Sequence, residues 1–170
     1  MARKALVIIA QQGFQDVELD GTRQGLKDAG FDVVLASEAA GECVGKFGGS
    51  EQATIALKDV RVEDYDRVAF IGGPGAHKLA SNLDAQRIAV ETEMAKKPLG
   101  AICIAPTILA EAGVLNGKKA TVHNKDGEPE KLLKARGATY TGEDVTVDGL
   151  IVTGNGPEAA KAFGTAFAAA

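Results

Sequence analysis

The sequence predicts an α/β domain: a mainly parallel β-sheet with helices on both faces. Three observations predict it. Short β-branched runs alternate with stretches rich in Ala, Leu, Lys and Glu, the pattern of parallel strands linked by crossover helices. The chain of 170 residues is the length of one domain, long enough to bury roughly 70% of its unfolded surface. Its composition, 45% hydrophobic with no tryptophan and 5% aromatics, calls for an interior of Ala, Val, Ile and Leu.

Each element has its own signal. The run "KALVIIA" (4–10) follows basic residues and so imitates a secretory signal. Its apolar part is only Ala5 to Ala10, and no small-residue cleavage site follows, so it reads as a buried first strand. "GFQDVELDG" then opens a helix with Glu18 in its first turn, and Gly21 and Gly25 on a neighbouring face imply close packing against another element. "DVVLAS" (32–37) is the next strand, and Gly41 to Ile55, with "GKFGGS" in its middle, is an inserted hairpin. "RVAFIGG" (67–73) is a strand ending in the loop "GGPGA", and "PLGAIC" (98–103) is a strand running directly into the helix "APTILAEAG". "KKATVH" (118–123) supplies a further strand, and "GEDVTVDGLIVTG" (142–154) a second hairpin turning on Asp148-Gly149. Both hairpins are expected as antiparallel additions to the main sheet. The final stretch places Pro157 near a first helical position and Ala160, Phe163 and Phe167 on one face, which makes a closing helix. No repeat, low-complexity tract or linker divides residues 1–170, so a single domain is expected.

Charge and cysteine content narrow the function classes. The net charge is −4, and the 19 Lys and Arg are scattered, which leaves no electrostatic footprint for nucleic acid or anionic lipid. No apolar run approaches the ~20 residues that span a bilayer. Two cysteines, Cys43 and Cys103, form neither a disulfide framework nor a paired zinc spacing. A reducing cytoplasm suits them. Cys43 falls in the first hairpin and reads as packing or interface.

Ligands of open parallel sheets bind beyond the carboxyl ends of the strands, so reactive side chains at strand ends are the candidates. Cys103 ends "PLGAIC" with a helix following at once, as in a nucleophile elbow. A helix start there lends positive potential and free N–H groups that favour a thiolate; alternatively the thiol is a small buried hydrophobe. Gly73 ends the "RVAFIGG" strand, and its amide and that of Ile104 could face one developing oxyanion, although a tight strand-to-helix connection also explains the glycines. Glu18 arrives at the same sheet edge; facing inward it would have a raised pKa and donate a hydrogen bond to a thiolate, and facing outward it would be a solvated partner of the helix dipole. His123 ends its strand at this rim as a possible general base, or as a surface residue. His77, just past Gly75, reads as surface because nothing pairs with it.

"FQDVEL" with Glu18, "IGGPGA", "AICIAPTILAEAGVLNGKKAT" around Cys103 and "VDGLIVTGNGP" resemble, in order and spacing, the ThiJ/PfpI superfamily over nearly the whole chain. The resemblance implies a flavodoxin-like three-layer sandwich, a cysteine nucleophile at an elbow, a helix-borne acidic partner, and homodimers or larger assemblies. The peptidase branch has a histidine directly after the nucleophile, where this chain has Ile104, which counts against proteolysis. His123 matches the histidine of the deglycase and glyoxalase branches, whose activity is cofactor-free conversion of methylglyoxal to lactate or release of early glyoxal adducts from amino groups. Class I glutamine amidotransferases share the elbow but pair it with a late His-x-Glu motif that is missing after His123. The expected site is therefore Cys103, Glu18 and His123 with the amides of Gly73 and Ile104, without metal or organic cofactor, acting on a small aldehyde or a glycated amino group in stress protection. The rival expectation is a redox-sensing or chaperone-like protein that uses the same thiol without turnover.

Overall fold

Six consecutive residues, Ala5 to Ala10, have no exposed surface at all. A run apolar at every position fits a strand covered on both faces, and in the computed structural model, which describes residues 2–170, Arg3–Ile8 form the interior strand β1. The chain continues through β2 (Gln12–Phe14), α1 (Asp16–Asp28), β3 (Phe31–Ser37), β4 (Gly41–Gly45), β5 (Ser50–Ala53), β6 (Ile55–Ala56) and β7 (Arg67–Phe70). After a 3-10 segment at Pro74–Ser81 come α2 (Leu83–Met94), β8 (Leu99–Ile102), α3 (Pro106–Glu111), β9 (Lys119–Ala120) and α4 (Glu128–Ala135). The remaining elements are β10 (Thr139–Tyr140), β11 (Val145–Asp148), β12 (Ile151–Gly154) and α5 (Ala160–Ala169).

Seven strands form the central sheet in the order β11-β12-β8-β7-β1-β3-β6. All pairs are parallel except β11 with β12. The fold is thus the expected flavodoxin-like α/β sandwich. From β1 the chain first builds outward through β3 and β6, then returns to β7 on the other side and builds through β8 and β12. That reversal opens a crevice between β1 and β7 at the carboxyl edge of the sheet.

The helices form two packed groups, α1 with α5, and α3 with α2 and α4. Gly25 explains the closeness of the first pair: a Cβ there would lie 2.5 Å from the carbonyl carbon of Gly164 on α5. Phe163 and Phe167 of α5 are fully buried with rings stacked 6.0 Å apart. At its end, Arg67 from the start of β7 donates through Nη1 to the carbonyls of Phe167 (2.7 Å) and Ala168 (3.0 Å), satisfying acceptors that a helix terminus leaves open.

Three local expectations are corrected. The first hairpin forms, but β4 and β5 make a separate three-stranded sheet with β2 rather than an extension of the main one. Only the β11–β12 hairpin joins the main sheet, and its connecting residues are Gly149 and Leu150, since Asp148 already pairs with Ile151. The segment 118–123 is not a main-sheet strand either: only Lys119–Ala120 are extended in a ladder, with β10. Beyond them the backbone is held bond by bond, Thr121 N–H on Thr153 Oγ1 (3.0 Å) and His123 N–H on the Cys103 carbonyl (2.8 Å). No helix among the described residues is long and apolar enough to cross a membrane.

Candidate active site

β8 ends at Ile102, and the next residue, Cys103, has φ 65°. This left-handed conformation costs a non-glycine residue about 1–2 kcal/mol and persists only where the surroundings impose it. Here they do. Cys103 N–H donates to the Gly154 carbonyl at the end of β12 (2.9 Å), and its own carbonyl accepts from His123 N–H (2.8 Å). A turn at residues 103–105 intervenes before α3 starts at Pro106, so the helix begins slightly later than expected. The Ile104 carbonyl is tied into that first turn by the Thr107 hydroxyl (2.6 Å). The sulfur stands at the sheet edge with 9% of the residue exposed.

Glu18 comes from the first turn of α1. The N-cap is Gln15, whose Oε1 accepts from the N–H groups of Val17 (2.7 Å) and Glu18 (3.1 Å). Gln15 N–H in turn donates to the Gly72 carbonyl (2.9 Å), so the helix start is pinned to the end of β7 across the crevice. Glu18 has no exposed surface. Its Oε1 accepts from Gly72 N–H (3.0 Å), while Oε2 is buried with no nitrogen or oxygen partner. The carboxyl's remaining interaction is with the Cys103 thiol. Gly72 makes room for it: a Cβ there would sit 2.6 Å from the Cys103 Cβ and 2.7 Å from Glu18 Oε1.

Burial pushes the Glu18 carboxyl up to about 7, against smaller downward pulls from Cys103, the Gly72 amide and the Lys46 charge. The thiol moves the same way. Burial first, then the neighbouring Glu18 carboxylate, push Cys103 up to about 12, and the amides of Gly73 and Ile104 pull only part of that back. The backbone amides at the helix start do favour the thiolate, but desolvation and the carboxylate outweigh them. A thiolate at neutral pH requires the proton to sit on Glu18, and the pair holds one proton between two acids.

Cys103 opens into a pocket of about 280 Å³. Gly73 and Ile104 line it beside the sulfur, and His123 lines it as well. All five residues anticipated from the sequence thus lie in or directly behind one small cavity. The same wall carries Gln15, Lys46, Pro74, His77 and Pro157, none of which the sequence reading chose. His77, read as an unpaired surface residue, is exposed but faces this cavity from the 3-10 segment; its place just after a glycine loop at a strand end was the available signal. Cys43 lies elsewhere, fully buried in β4, with its thiol pushed up by burial.

Comparison with known proteins agrees with the fold. The DJ-1/PfpI family profile matches residues 3–170. An uncharacterized protein of Methanocaldococcus jannaschii is 36% identical over 95% of this chain and 78% of its own length. A deglycase of Pyrococcus horikoshii is 33% identical over 91% of this chain and 90% of its own. Among solved structures, the ThiJ/PfpI domain protein of Brachyspira murdochii has TM-score 0.93 at 28% identity, covering 98% of this chain and 94% of that one. Drosophila melanogaster DJ-1beta has TM-score 0.86 at 27% identity, covering 99% and 89%. This chain belongs to the DJ-1/PfpI family.

Proposed function

We propose that this DJ-1/PfpI family member is a cofactor-independent cysteine enzyme acting on small α-oxoaldehydes or their early adducts with amino groups, in the manner of a glyoxalase or deglycase. The observation that carries the reading is the buried Glu18 carboxyl set beside the Cys103 thiol at a left-handed elbow that faces a small pocket. The Cys103 thiolate adds to the aldehyde carbon; a C–S bond forms and the carbonyl π pair moves to oxygen. Gly73 and Ile104 amides receive that oxyanion. His123 takes the proton from the former aldehyde carbon and returns one to the adjacent carbon, giving a thioester. Water then cleaves the C–S bond, releasing a 2-hydroxy acid and restoring the thiol. The aldehyde carbon is oxidised and its neighbour reduced, so no external electron carrier is consumed.

Deglycase names among the relatives support the enzyme class. The pocket volume of about 280 Å³ suits a few carbons better than a peptide, and Ile104 stands where the peptidase branch has histidine. The deciding assay is lactate formation from methylglyoxal by wild type against Cys103→Ser. Turnover is expected in the first and absent in the second; equal output from both ends this reading.

A second reading has its own support. A protonated Glu18 beside the sulfur is a donor for a cysteine sulfinate, formed with two equivalents of hydrogen peroxide and release of two waters. Site-resolved mass spectrometry after peroxide treatment tests it: an added mass of two oxygens on Cys103 that disappears in Glu18→Ala is the expected result. We also expect a homodimer or larger assembly in the cytoplasm. Phe47, 65% exposed, follows the pocket-lining Lys46, and Val17, 47% exposed, lies two residues after Gln15; these apolar surfaces support a covered face. Light scattering in solution measures it.

A further inference from the structure

The chemistry above leaves three polar groups on the pocket wall unused, the Lys46 ammonium, the Gln15 Nε2 and the His77 ring; the first two lie at the junction of the α1 start and the β4–β5 hairpin. Lys46 begins the tip of the β4–β5 hairpin, and that tip is fastened. Lys46 N–H donates to the Phe14 carbonyl (2.7 Å), and Gly45 N–H to the Gly49 carbonyl (2.7 Å). The Asp16 carboxylate accepts from Phe47 N–H and Gly49 N–H, both at 2.9 Å. The ammonium lies 5.3 Å from the centre of the Phe47 ring. It forms no salt bridge with any carboxylate among the described residues, whereas other lysines of the chain do. A fixed backbone, an ammonium with no direct ion pair and a place on the cavity wall are the attributes of a ligand-binding cation.

Gln15 adds an independent observation. It is 4% exposed, and its Oε1 is consumed by the two amides at the start of α1. That bonding fixes which way the amide group faces and leaves Nε2 without an acceptor among the described residues, on a side chain that lines the pocket. The little of Gln15 that is exposed thus includes a donor with no protein acceptor, open to whatever occupies the pocket. No carboxylate lines the cavity; Glu18 lies behind the sulfur. The chain as a whole carries −4, so this donor-rich wall is a local feature rather than part of a general positive field.

We propose that the substrate is an α-oxoaldehyde with a carboxylate on its far end, held by Lys46 Nζ and Gln15 Nε2 while the aldehyde carbon meets Cys103. This rests on the cysteine-enzyme reading and narrows its substrate class. One ammonium and one amide match a monoanion with two oxygens. The reaction keeps the same balance, with water added and a 2-hydroxy dicarboxylate released.

Two measurements separate the binding site from turnover. The first compares site-resolved alkylation of Cys103 by iodoacetate and by neutral iodoacetamide. The ratio of their rates is expected to fall about fivefold in Lys46→Met, the order of one charge contact at a partly wet site, and to be retained in Lys46→Arg. It should fall also in Gln15→Glu, which keeps the capping oxygen and removes the donor, and stay unchanged in Lys58→Met, outside the pocket. The second compares 4,5-dioxopentanoate with methylglyoxal: Lys46→Met should raise KM for the first far more than for the second. A rate ratio indifferent to Lys46 overturns the proposal even if methylglyoxal is turned over. A ratio that moves while neither aldehyde is consumed upholds the anion site and refutes the glyoxalase chemistry. Failure of Cys103 to react with either reagent refutes both.

Discussion

Removing the charge of Glu18 while keeping its shape tests how the site makes a thiolate. In the wild type the pair loses its first proton near pH 7, where Glu18 titrates, and its second near pH 12, where Cys103 does. After the first loss the remaining proton divides between the two acids, and the fraction on Glu18 leaves sulfur anionic. Alkylation of Cys103 should therefore rise around pH 7, level off, and rise again towards pH 12. In Glu18→Gln no carboxylate repels the thiolate. Two charges about 4 Å apart at an effective dielectric near 20 interact by ~4 kcal/mol, or about three pH units. The variant should show one transition, displaced downward from about 12 by up to about three units, with the plateau gone. Stopped-flow alkylation with iodoacetamide between pH 5 and 11 (a window of about six units around the first ionisation) measures both profiles. A single wild-type transition coinciding with that of Glu18→Gln would falsify the shared-proton account.

The same carboxyl links stability to pH. Its folded value lies near 7, above its ordinary 4.5, so the stability it confers is present below 4.5 and is lost as pH rises through 7. Glu18→Gln should thus be about 3 kcal/mol more favourable relative to wild type at pH 8 than at pH 4, measured by urea unfolding; a constant difference across that range contradicts the buried carboxyl. Gly25→Ala drives a methyl into the backbone of Gly164, 2.5 Å from its carbonyl carbon, and should cost about 2–3 kcal/mol in thermal unfolding, whereas an unchanged midpoint would mean that α1 and α5 are further apart. Arg67→Met strips two carbonyls at the end of α5 of their donor and should cost about 3 kcal/mol, with amide exchange rising first at residues 160–169; a loss spread evenly over the sheet would assign Arg67 another role.

Most of the framework was legible because its causes are local. The continuous apolar run of β1, the glycines at 72 and 73 and the strand-to-helix passage at Cys103 are each encoded within a few neighbours, and each appears where the pattern indicates. The segment 118–123 has a strand's pattern without a strand's pairing because Thr121 and His123 are held by single bonds to Thr153 and Cys103, 32 and 20 positions away in sequence, rather than by a ladder. His77 and Lys46 were passed over for the same reason: each stands on a different loop, and only the packed structure brings them to the wall of one cavity.

That Glu18 and Cys103 arrive at one edge of the sheet follows from the sequence alone, through strand periodicity and the order of elements. The sign of the thiol's shift was decided by tertiary structure. Helix starts and glycine amides act over one turn and can be read along the chain, but desolvation and the charge of a carboxyl brought from another element depend on everything packed around the sulfur. Those non-local contributions are larger here, and they move the proton question from Cys103 alone to the pair it forms with Glu18.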